Sequence, residues 1–313
     1  MWQSPQPLFN FFGGLVMIEL FTDSYFHIGK AHLSSGKPCQ DYAISDVYEK
    51  MAFAIISDGC STGRHTDVGS RILSLSTASA IRDNWITRRK INMMKTPAEI
   101  NVGQTIVLAG MQDALGLITQ DMLATCLYAY ICPQGGVVHV QGDGVVATKY
   151  CDGRIKVSNF EWLDNKPFYP AYKNGNLQNF IDAHGGNLDA NRLREEIWMI
   201  NPDGEEIPLD LKEHSLARGL DGVTFEFVQK ELEEIEFIAV FSDGVAQIDG
   251  IDWKDAVVDF LAFKNTAGVF AARRMIRGIK DFQKGGKGPF DDIAYAVVRV
   301  DTSQEEYDVE NTE

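Results

Sequence analysis

The chain alternates between short apolar runs and segments in which apolar residues recur every three or four positions. Short apolar runs bounded by Gly, Pro, Asn or Asp are typical of β-strands. We therefore expect strands at 25–32, 41–47, 51–57, 122–131, 137–141, 145–150, 154–157, 224–229, 235–241 and 293–300. The short linker 48–50 indicates that the two strands it joins are antiparallel.

Four segments have helical spacing, two of them early in the chain and two late. The first has apolar residues at Val68, Ile72 and Leu75, and we expect Thr66 or Asp67 to cap it. The others are expected around 107–118, 253–263 and 267–282.

Strand runs interrupted by one helical pair early and another late predict the fold class. The pattern favours an α+β fold, with an antiparallel β-sandwich flanked by helical pairs on both faces, in α-β-β-α layers. A parallel sheet would require strands and helices to alternate regularly, and they do not.

The pattern also predicts the domain organisation. We expect a single domain over 17–301, and a non-native or disordered leader over 1–16, with Met17 as a candidate start. Residues 160–222 lose clear periodicity, which indicates a functional loop region or a small inserted subdomain. The acidic tail 302–313 is expected to be disordered.

Charge and cysteine content narrow the class of protein. A net charge of -15 argues against nucleic-acid binding, which needs clustered Lys and Arg, and is compatible with divalent cations. Five cysteines without a CxxC pair favour a reducing compartment, so we expect a cytoplasmic protein. The apolar segment 9–20 is too short to span a membrane, and we expect no membrane association.

Aspartates stand at the ends of several predicted strands. An acidic side chain there is well placed to hold a cation, because strand ends are rigid and the adjoining turns are open to water. Gly59 follows one of these residues, and its carbonyl could face a metal because it has no Cβ in the way. The aspartates are Asp41, Asp58, Asp143, Asp243 and Asp291.

A single Asp-Gly pair has another interpretation, since it is also a common hairpin turn. The repetition at several strand ends favours the cation site. Carboxylates without a His or Cys at ligand spacing suit Mg²⁺ or Mn²⁺. Two such ions roughly 3.5 to 4 Å apart would hold a bridging hydroxide and neutralise a phosphoryl group under in-line attack. Asp58 is the candidate bridging ligand because it is the most central of the set.

The sequence resembles the metal-dependent Ser/Thr protein phosphatases of the PPM, or type 2C, family, and especially their bacterial branch. The matching motifs occur in family order and extend over nearly the whole chain. They are His32, GKPCQD at 36–41, SDG at 57–59, GDG at 142–144, SDG at 242–244 and DDI at 291–293.

The resemblance implies a set of metal ligands, of which Asp58, Asp243 and Asp291 would be the catalytic core. Asp58 would bridge two ions, and Asp243 and Asp291 would complete one site. The Gly59 carbonyl would complete the other, together with Asp41 acting through water. The family fold is a β-sandwich between two helical pairs, in agreement with the pattern of the chain.

Other roles also follow from the resemblance. Asp143 matches a position that in bacterial members helps to hold a third, weaker ion. Asp292 is expected to support a ligand rather than to bind metal. Some eukaryotic members place a general-acid His directly after the Asp-Gly pair, where this chain has Cys60, so His65 is the candidate general acid.

The chain departs from the family in how it would hold phosphate. Many members have a phosphate-binding Arg five residues before the first aspartate, and this chain has Gly36 there. The candidates to replace that Arg are Lys37, His32 and Arg64.

The sequence therefore predicts a monomeric, cytoplasmic phosphatase that hydrolyses phosphoserine or phosphothreonine in proteins with two Mn²⁺ or Mg²⁺ ions and a third, weaker one. Its expected partners are phosphorylated proteins and a cognate Ser/Thr kinase. Two alternatives stay open: a catalytically silent regulatory or binding module, and a phosphatase of small phosphate esters.

Overall fold

The computed structural model describes residues 16–89, 95–174, 177–183, 185–216 and 222–304. These residues form twelve strands: β1 (Val16–His27), β2 (Tyr42–Tyr48), β3 (Met51–Ser57), β4 (Cys126–Cys132), β5 (Gly135–Gln141), β6 (Gly144–Tyr150), β7 (Ile155–Trp162), β8 (Arg192–Ile200), β9 (Glu206–Ser215), β10 (Val223–Val228), β11 (Ile235–Phe241) and β12 (Ile293–Gln304). They also form seven α-helices: α1 (Lys30–Ser35), α2 (Thr66–Arg88), α3 (Thr96–Leu115), α4 (Leu177–Ala183), α5 (Gln229–Leu232), α6 (Trp253–Phe260) and α7 (Phe270–Lys284).

The strands form two stacked sheets. The larger has the order β1-β12-β11-β6-β7-β8-β9, and the smaller has the order β10-β5-β4-β3-β2. All the paired neighbours run antiparallel.

Strand β3 explains why helices cover the smaller sheet. All of its residues are buried, and successive side chains of a strand point to opposite faces. Ala52, Ala54 and Ile56 pack into the core between the two sheets. Phe53 and Ile55 pack instead against residues of α2 and α3. A strand that is apolar on both faces therefore needs a layer on each side.

Strand β11 does the same in the larger sheet. Ile238 and Val240 face the smaller sheet, whereas Phe237 and Phe241 pack with residues of α6 and α7. The result is four layers, and the predicted α+β sandwich with a helical pair on each face is confirmed.

The predicted strand at 25–32 was wrong beyond His27. Strand β1 begins earlier, at Val16, because it pairs with β12 along its whole length. After His27 the chain turns into α1, so His32 lies on a helix. The turn is tight: a Cβ on Gly29 would lie 2.1 Å from the carbonyl carbon of Asp291.

Residues 160–222, whose periodicity is unclear in the sequence, contain regular structure. The region contains the hairpin of β8 and β9, which extends the larger sheet beyond β7. In β8, alternate residues are buried, but one of them is Glu195. His214 Nε2 lies 2.8 Å from Glu195 Oε2, and this polar partner permits a carboxylate at a core position. Residues 217–221 lie outside the described residues.

Other element boundaries also differ from the predictions. The strand predicted at 122–131 begins only at Cys126, and the strand predicted at 154–157 continues to Trp162. Helix α2 begins at Thr66, but its N-cap residue is His65, which makes no side-chain cap hydrogen bond. Helix α3 begins at Thr96, well before the predicted 107–118. Strand β12 continues to Gln304, past the predicted end of the domain at 301. The predicted leader up to residue 15 and the tail from 305 lie outside the described residues.

We expect Phe237→Ala to lower the free energy of unfolding by about 3 to 5 kcal/mol, because it leaves a cavity between β11 and the helices. The Phe237 ring is fully buried and lies 4.7 Å from the ring of Phe263 between centroids. Urea unfolding measures the change. Leu211→Ala, at a position with 64% of the residue exposed, is the control and should change stability by less than about 0.5 kcal/mol. Equal effects of the two substitutions would contradict this packing.

Candidate metal centre

The predicted aspartates converge at one end of the sandwich. Asp41 immediately precedes β2 and Asp58 immediately follows β3. Because Tyr42 pairs with Ser57 across these antiparallel strands, Asp41 and Asp58 lie side by side at the same end.

The larger sheet brings three more aspartates to this end. Asp243 opens a short 3₁₀ turn after β11, and Asp291 lies just before β12, the antiparallel neighbour of β11. Asp143 lies between β5 and β6. The loops after β11 and before β12 are in close contact, since a Cβ on Gly244 would lie 1.8 Å from the Asp292 carbonyl oxygen.

Asp58 is the electrostatic centre of this group. Desolvation raises the pKa of its carboxyl well above the usual range, and the charges of Asp41, Asp243 and Asp143 raise it further, in that order. Desolvation likewise raises the pKa of the buried Asp41, although the Ser242 hydroxyl and Asp58 offset part of the effect.

The pKa values of Asp143 and Asp243 are raised for the same reasons. Desolvation, and then the charge of Asp243, raise the pKa of Asp143 to about 7. The pKa of Asp243 is raised by desolvation and by Asp291, and a hydrogen bond from Gln247 opposes this rise. Each carboxylate therefore disfavours the ionisation of its neighbours.

The residues fit a divalent cation. No Lys or Arg of the described residues forms an ion pair with Asp41, Asp58, Asp143 or Asp243, so their charges have no protein cation to compensate them. Asp41 Oδ2 is buried and has no hydrogen-bond partner within the described part of the chain. A buried carboxylate oxygen without a partner is costly, and an oxygen-only donor set suits Mg²⁺ or Mn²⁺.

The backbone around Asp58 is held firmly. The Asp58 N–H donates to Thr125 Oγ1 at 3.0 Å, and the Thr125 N–H donates to the Asp58 carbonyl at 2.8 Å. Gly59 lies against the start of α2, where an added Cβ would be 2.6 Å from the Thr66 carbonyl oxygen. A glycine is therefore required here by space, and the metal-binding role predicted for its carbonyl stays a prediction.

Asp292 joins three segments of this end of the molecule. Its Oδ1 accepts from the Gly29 N–H at 2.7 Å, and its Oδ2 accepts from the Gln40 N–H at 2.6 Å and lies 2.8 Å from His32 Nδ1. One potential metal-ligating atom each from His32, Asp291 and Asp292 lies within 4.8 Å of the other two, a spacing that could suit a metal ion. Both oxygens of Asp292 are already engaged, so we interpret Asp292 and His32 as a polar anchor that positions Asp41 and Asp291.

The candidate phosphate-binding residues occupy different environments. His32 is buried, and its ring lies against Asp292. The other two candidates, Lys37 and Arg64, are exposed. Lys37 Nζ donates to the Ser61 carbonyl at 3.2 Å and so joins the segment before Asp41 to the turn after Asp58. Arg64 and His65 are exposed in that turn, and neither side chain has a hydrogen bond or ion pair among the residues described.

The missing Arg at position 36 has a local explanation. Gly36 ends α1 in the left-handed conformation, with φ of 69°, and its N–H lies at the helix C-cap. A glycine adopts this conformation without strain, whereas an Arg would not. The short helix α1 therefore accounts for this departure from the family.

Tyr169 is a residue of the site that the sequence did not identify. Burial raises the pKa of its hydroxyl, and the next contributions come from Cys60, Asp143 and Asp58, so the charges of the aspartates reach this hydroxyl. It precedes a 3₁₀ turn, Pro170–Lys173, within the predicted irregular region. The aromatic run 168–172 was the only signal, and such runs are also common in cores.

Comparison with known proteins agrees with this geometry. The sequence profile described as protein phosphatase 2C matches residues 28–275. Two crystal structures of a bacterial serine phosphatase, one of a point mutant, are similar to the chain with TM-scores of 0.52, at 10% and 9% identity. Each alignment covers 90% of this chain and 98% of the other. A serine/threonine phosphatase from Staphylococcus aureus matches 96% of this chain and 100% of its own at 10% identity, with a TM-score of 0.46.

A search among curated protein sequences found no match. The fold and the clustered carboxylates define a phosphatase of the metal-dependent class, and the chain belongs to the protein phosphatase 2C family. It is a protein phosphatase, and its substrates are phosphoproteins. No helix in the described ranges is long and apolar enough to cross a membrane.

We expect Asp292→Asn to destabilise the metal-free protein by about 2 to 4 kcal/mol, because an amide NH₂ would replace an oxygen that receives buried donors. Denaturant unfolding in a chelator measures this. Asp291→Asn is the control and should change metal-free stability little, since Asp291 is more exposed. A stable Asp292→Asn protein with weakened metal affinity would instead make Asp292 a ligand.

We expect the metal-free protein to lose stability as pH rises from about 4 to 7. Folding raises the pKa of Asp143 from 3.8 to about 7 and also raises those of Asp41, Asp58 and Asp243, so the folded state binds more protons in this range. Thermal unfolding in a chelator at pH 5 and 7.5 tests this. Asp58→Asn should reduce the pH dependence, whereas Asp83→Asn, on the exposed face of α2, should not.

Proposed function

We propose that this chain hydrolyses phosphoserine or phosphothreonine in proteins, with Asp58 at the centre of a site for Mn²⁺ or Mg²⁺. The observation that carries the proposal is the grouping of Asp58 with Asp41, Asp143 and Asp243 without a protein cation among the described residues. Such a group is unfavourable in the absence of a cation, which makes a structural role alone a poor explanation for it.

We assign the ligands by position. Asp58 would be shared between two ions, with Asp243 and Asp291 on one side and the Gly59 carbonyl and Asp41 on the other. Asp143 would hold a third, weaker ion. Divalent ions held by Asp58, Asp243 and Asp41 would lower the pKa of a bound water molecule and would neutralise charge on the phosphoryl group.

The chain itself supplies orientation. Gln247 Nε2 donates to Asp243 Oδ2 at 3.0 Å and so limits rotation of that carboxylate. Thr125 fixes the backbone of Asp58 through two hydrogen bonds, and Asp292 fixes the backbone that precedes Asp41. Side chains locked in this way keep the carboxylates aligned through the reaction.

A basic side chain near the turn after Asp58 would orient the phosphate, and the two exposed candidates are Arg64 and Lys37. Arg64 is free of ion pairs with any residue described, whereas Lys37 is held by the Ser61 carbonyl. Arg64 is therefore the better candidate, since its planar guanidinium can contact two phosphate oxygens. His65, exposed in the same turn, is our candidate to protonate the leaving oxygen of the serine or threonine side chain.

The cellular setting belongs to the same proposal. We propose that the enzyme acts as a monomer in the cytoplasm and reverses the action of a cognate Ser/Thr kinase. The absence of a cysteine pair in CxxC spacing and the net charge of -15 support this setting.

We expect Asp58→Asn and Asp243→Asn each to lower kcat on a phosphopeptide at least about a thousandfold while the protein stays folded, because both remove charge needed to hold the ions. Release of phosphate with Mn²⁺ or Mg²⁺ measures this. Asp152→Asn is the matched control, since Asp152-Gly153 is a hairpin turn in which Asp152 Oδ1 accepts from the Arg154 N–H at 3.0 Å. Wild-type rates in the Asp58 variant would contradict the site, and an inactive wild-type protein that still binds phosphopeptide would indicate a silent binding module.

We expect Arg64→Ala to raise KM for a phosphopeptide about tenfold, and Lys37→Ala to raise it less, with the Mn²⁺ dependence of both unchanged. Steady-state kinetics at several Mn²⁺ concentrations test this order. If neither substitution changes KM or kcat, the ions alone hold the phosphate.

A further inference from the structure

A cavity of about 370 Å³ is lined in part by Gln141 and Gly142, the two residues that precede Asp143. It lies between the β5 and β10 edge of the smaller sheet and the β7 to β9 side of the larger one. Its apolar wall includes Trp162, Phe168, Leu193 and Leu216. The volume is within the range of about 300 to 1,000 Å³ that is usual for binding pockets.

Two residues of the wall have polar groups without a partner. Gln141 is only 5% exposed, and neither its amide oxygen nor its amide nitrogen has a hydrogen bond within the described part of the chain. The indole N–H of Trp162, which is 8% exposed, also has no acceptor there. Buried polar groups are nearly always paired, so these groups indicate a missing partner that both donates and accepts.

The cavity adjoins the proposed catalytic site along the chain. Gln141 and Gly142 line it, and Asp143 is the next residue, about 3.8 Å further along the backbone. Phe168 and Pro170 also line it, and the charges of Asp143 and Asp58 act on the pKa of the Tyr169 hydroxyl between them. A phosphorylated residue at the aspartates would therefore have its neighbours in the peptide close to the cavity.

We infer that this cavity binds the peptide segment that flanks the phosphorylated residue, an inference that rests on the proposed function. An apolar side chain of the substrate packs against Trp162, Phe168 and Leu193. The peptide group beside it, which carries one donor and one acceptor, pairs with Gln141 and Trp162. The cavity then selects phosphoproteins that have a large apolar residue near the phosphorylated one.

The test measures substrate preference with phosphoserine peptides that carry Leu, Phe or Ala at each flanking position. Wild-type kcat/KM should be about tenfold higher for the apolar residue at one or more positions, because its burial stabilises the complex. p-Nitrophenyl phosphate, which is too small to reach the cavity, is the reference substrate.

Two variants test the cavity itself. Val223→Trp places a large ring at the partly buried rim of the cavity and should abolish the preference. Phe227→Trp, on the same face of β10 but outside the cavity, is the matched control and should retain it. Gln141→Leu keeps the volume and removes the amide, so it should raise KM for all the peptides about fivefold. Hydrolysis of the reference substrate should stay within about twofold in all three variants.

The outcomes are distinguishable. Absence of any flanking preference in the wild type, or its persistence in Val223→Trp, would overturn the inference while the proposed function stands. If the wild type hydrolyses neither peptide nor ester, the proposed function fails, and fluorescence anisotropy of the labelled peptides then decides whether the cavity binds them. Loss of ester hydrolysis in Val223→Trp would show that the cavity acts on catalysis rather than on peptide binding, which also overturns the inference.

Discussion

Repulsion among closely placed carboxylates is the constraint on which this end of the molecule depends. Asp58 lies beside Asp41, Asp143 and Asp243, and desolvation together with mutual repulsion raises the pKa of each. A flexible loop would separate such charges. Here Asp58, Asp143 and Asp243 adjoin strands that are buried along most of their length, and the pairing of β2 with β3 holds Asp41 next to Asp58. The packed core therefore opposes the repulsion. A divalent cation held by these carboxylates would relieve it.

Two of the strands that carry the site, β3 and β11, are buried along nearly their whole length. Strands β3 and β11 are apolar on both faces because each lies between the opposite sheet and a helical pair. Their carboxyl ends therefore have little freedom to move. The cavity that we propose to bind the flanking peptide lies elsewhere, and residues of β5 and of β7 to β10 line it.

Much of this was predictable from local pattern. Strands β3 and β11 are continuous apolar runs that end at Ser-Asp-Gly, and the structure begins and ends them as predicted. The hairpin of β8 and β9 was not predictable, because Glu195 interrupts the apolar pattern of the buried positions in β8. The side chain can be buried there only because it contacts His214 in the neighbouring strand β9. The Asp292 anchor and the approach of Tyr169 likewise depend on tertiary contacts that no local pattern encodes. The metal ligands themselves stay predictions that the geometry supports.

The Asp292 anchor also has a consequence for synthesis of the protein. It connects residue 292 with Gly29, 263 positions earlier, and strand β12 completes the larger sheet between β1 and β11. Chains are made from the amino terminus, and long-range contacts form late in folding. Asp41 and Asp58 emerge early, but their supporting segment is made more than two hundred residues later. The nascent chain therefore lacks the assembled site until Asp292 has emerged, and we expect it not to dephosphorylate its surroundings before then.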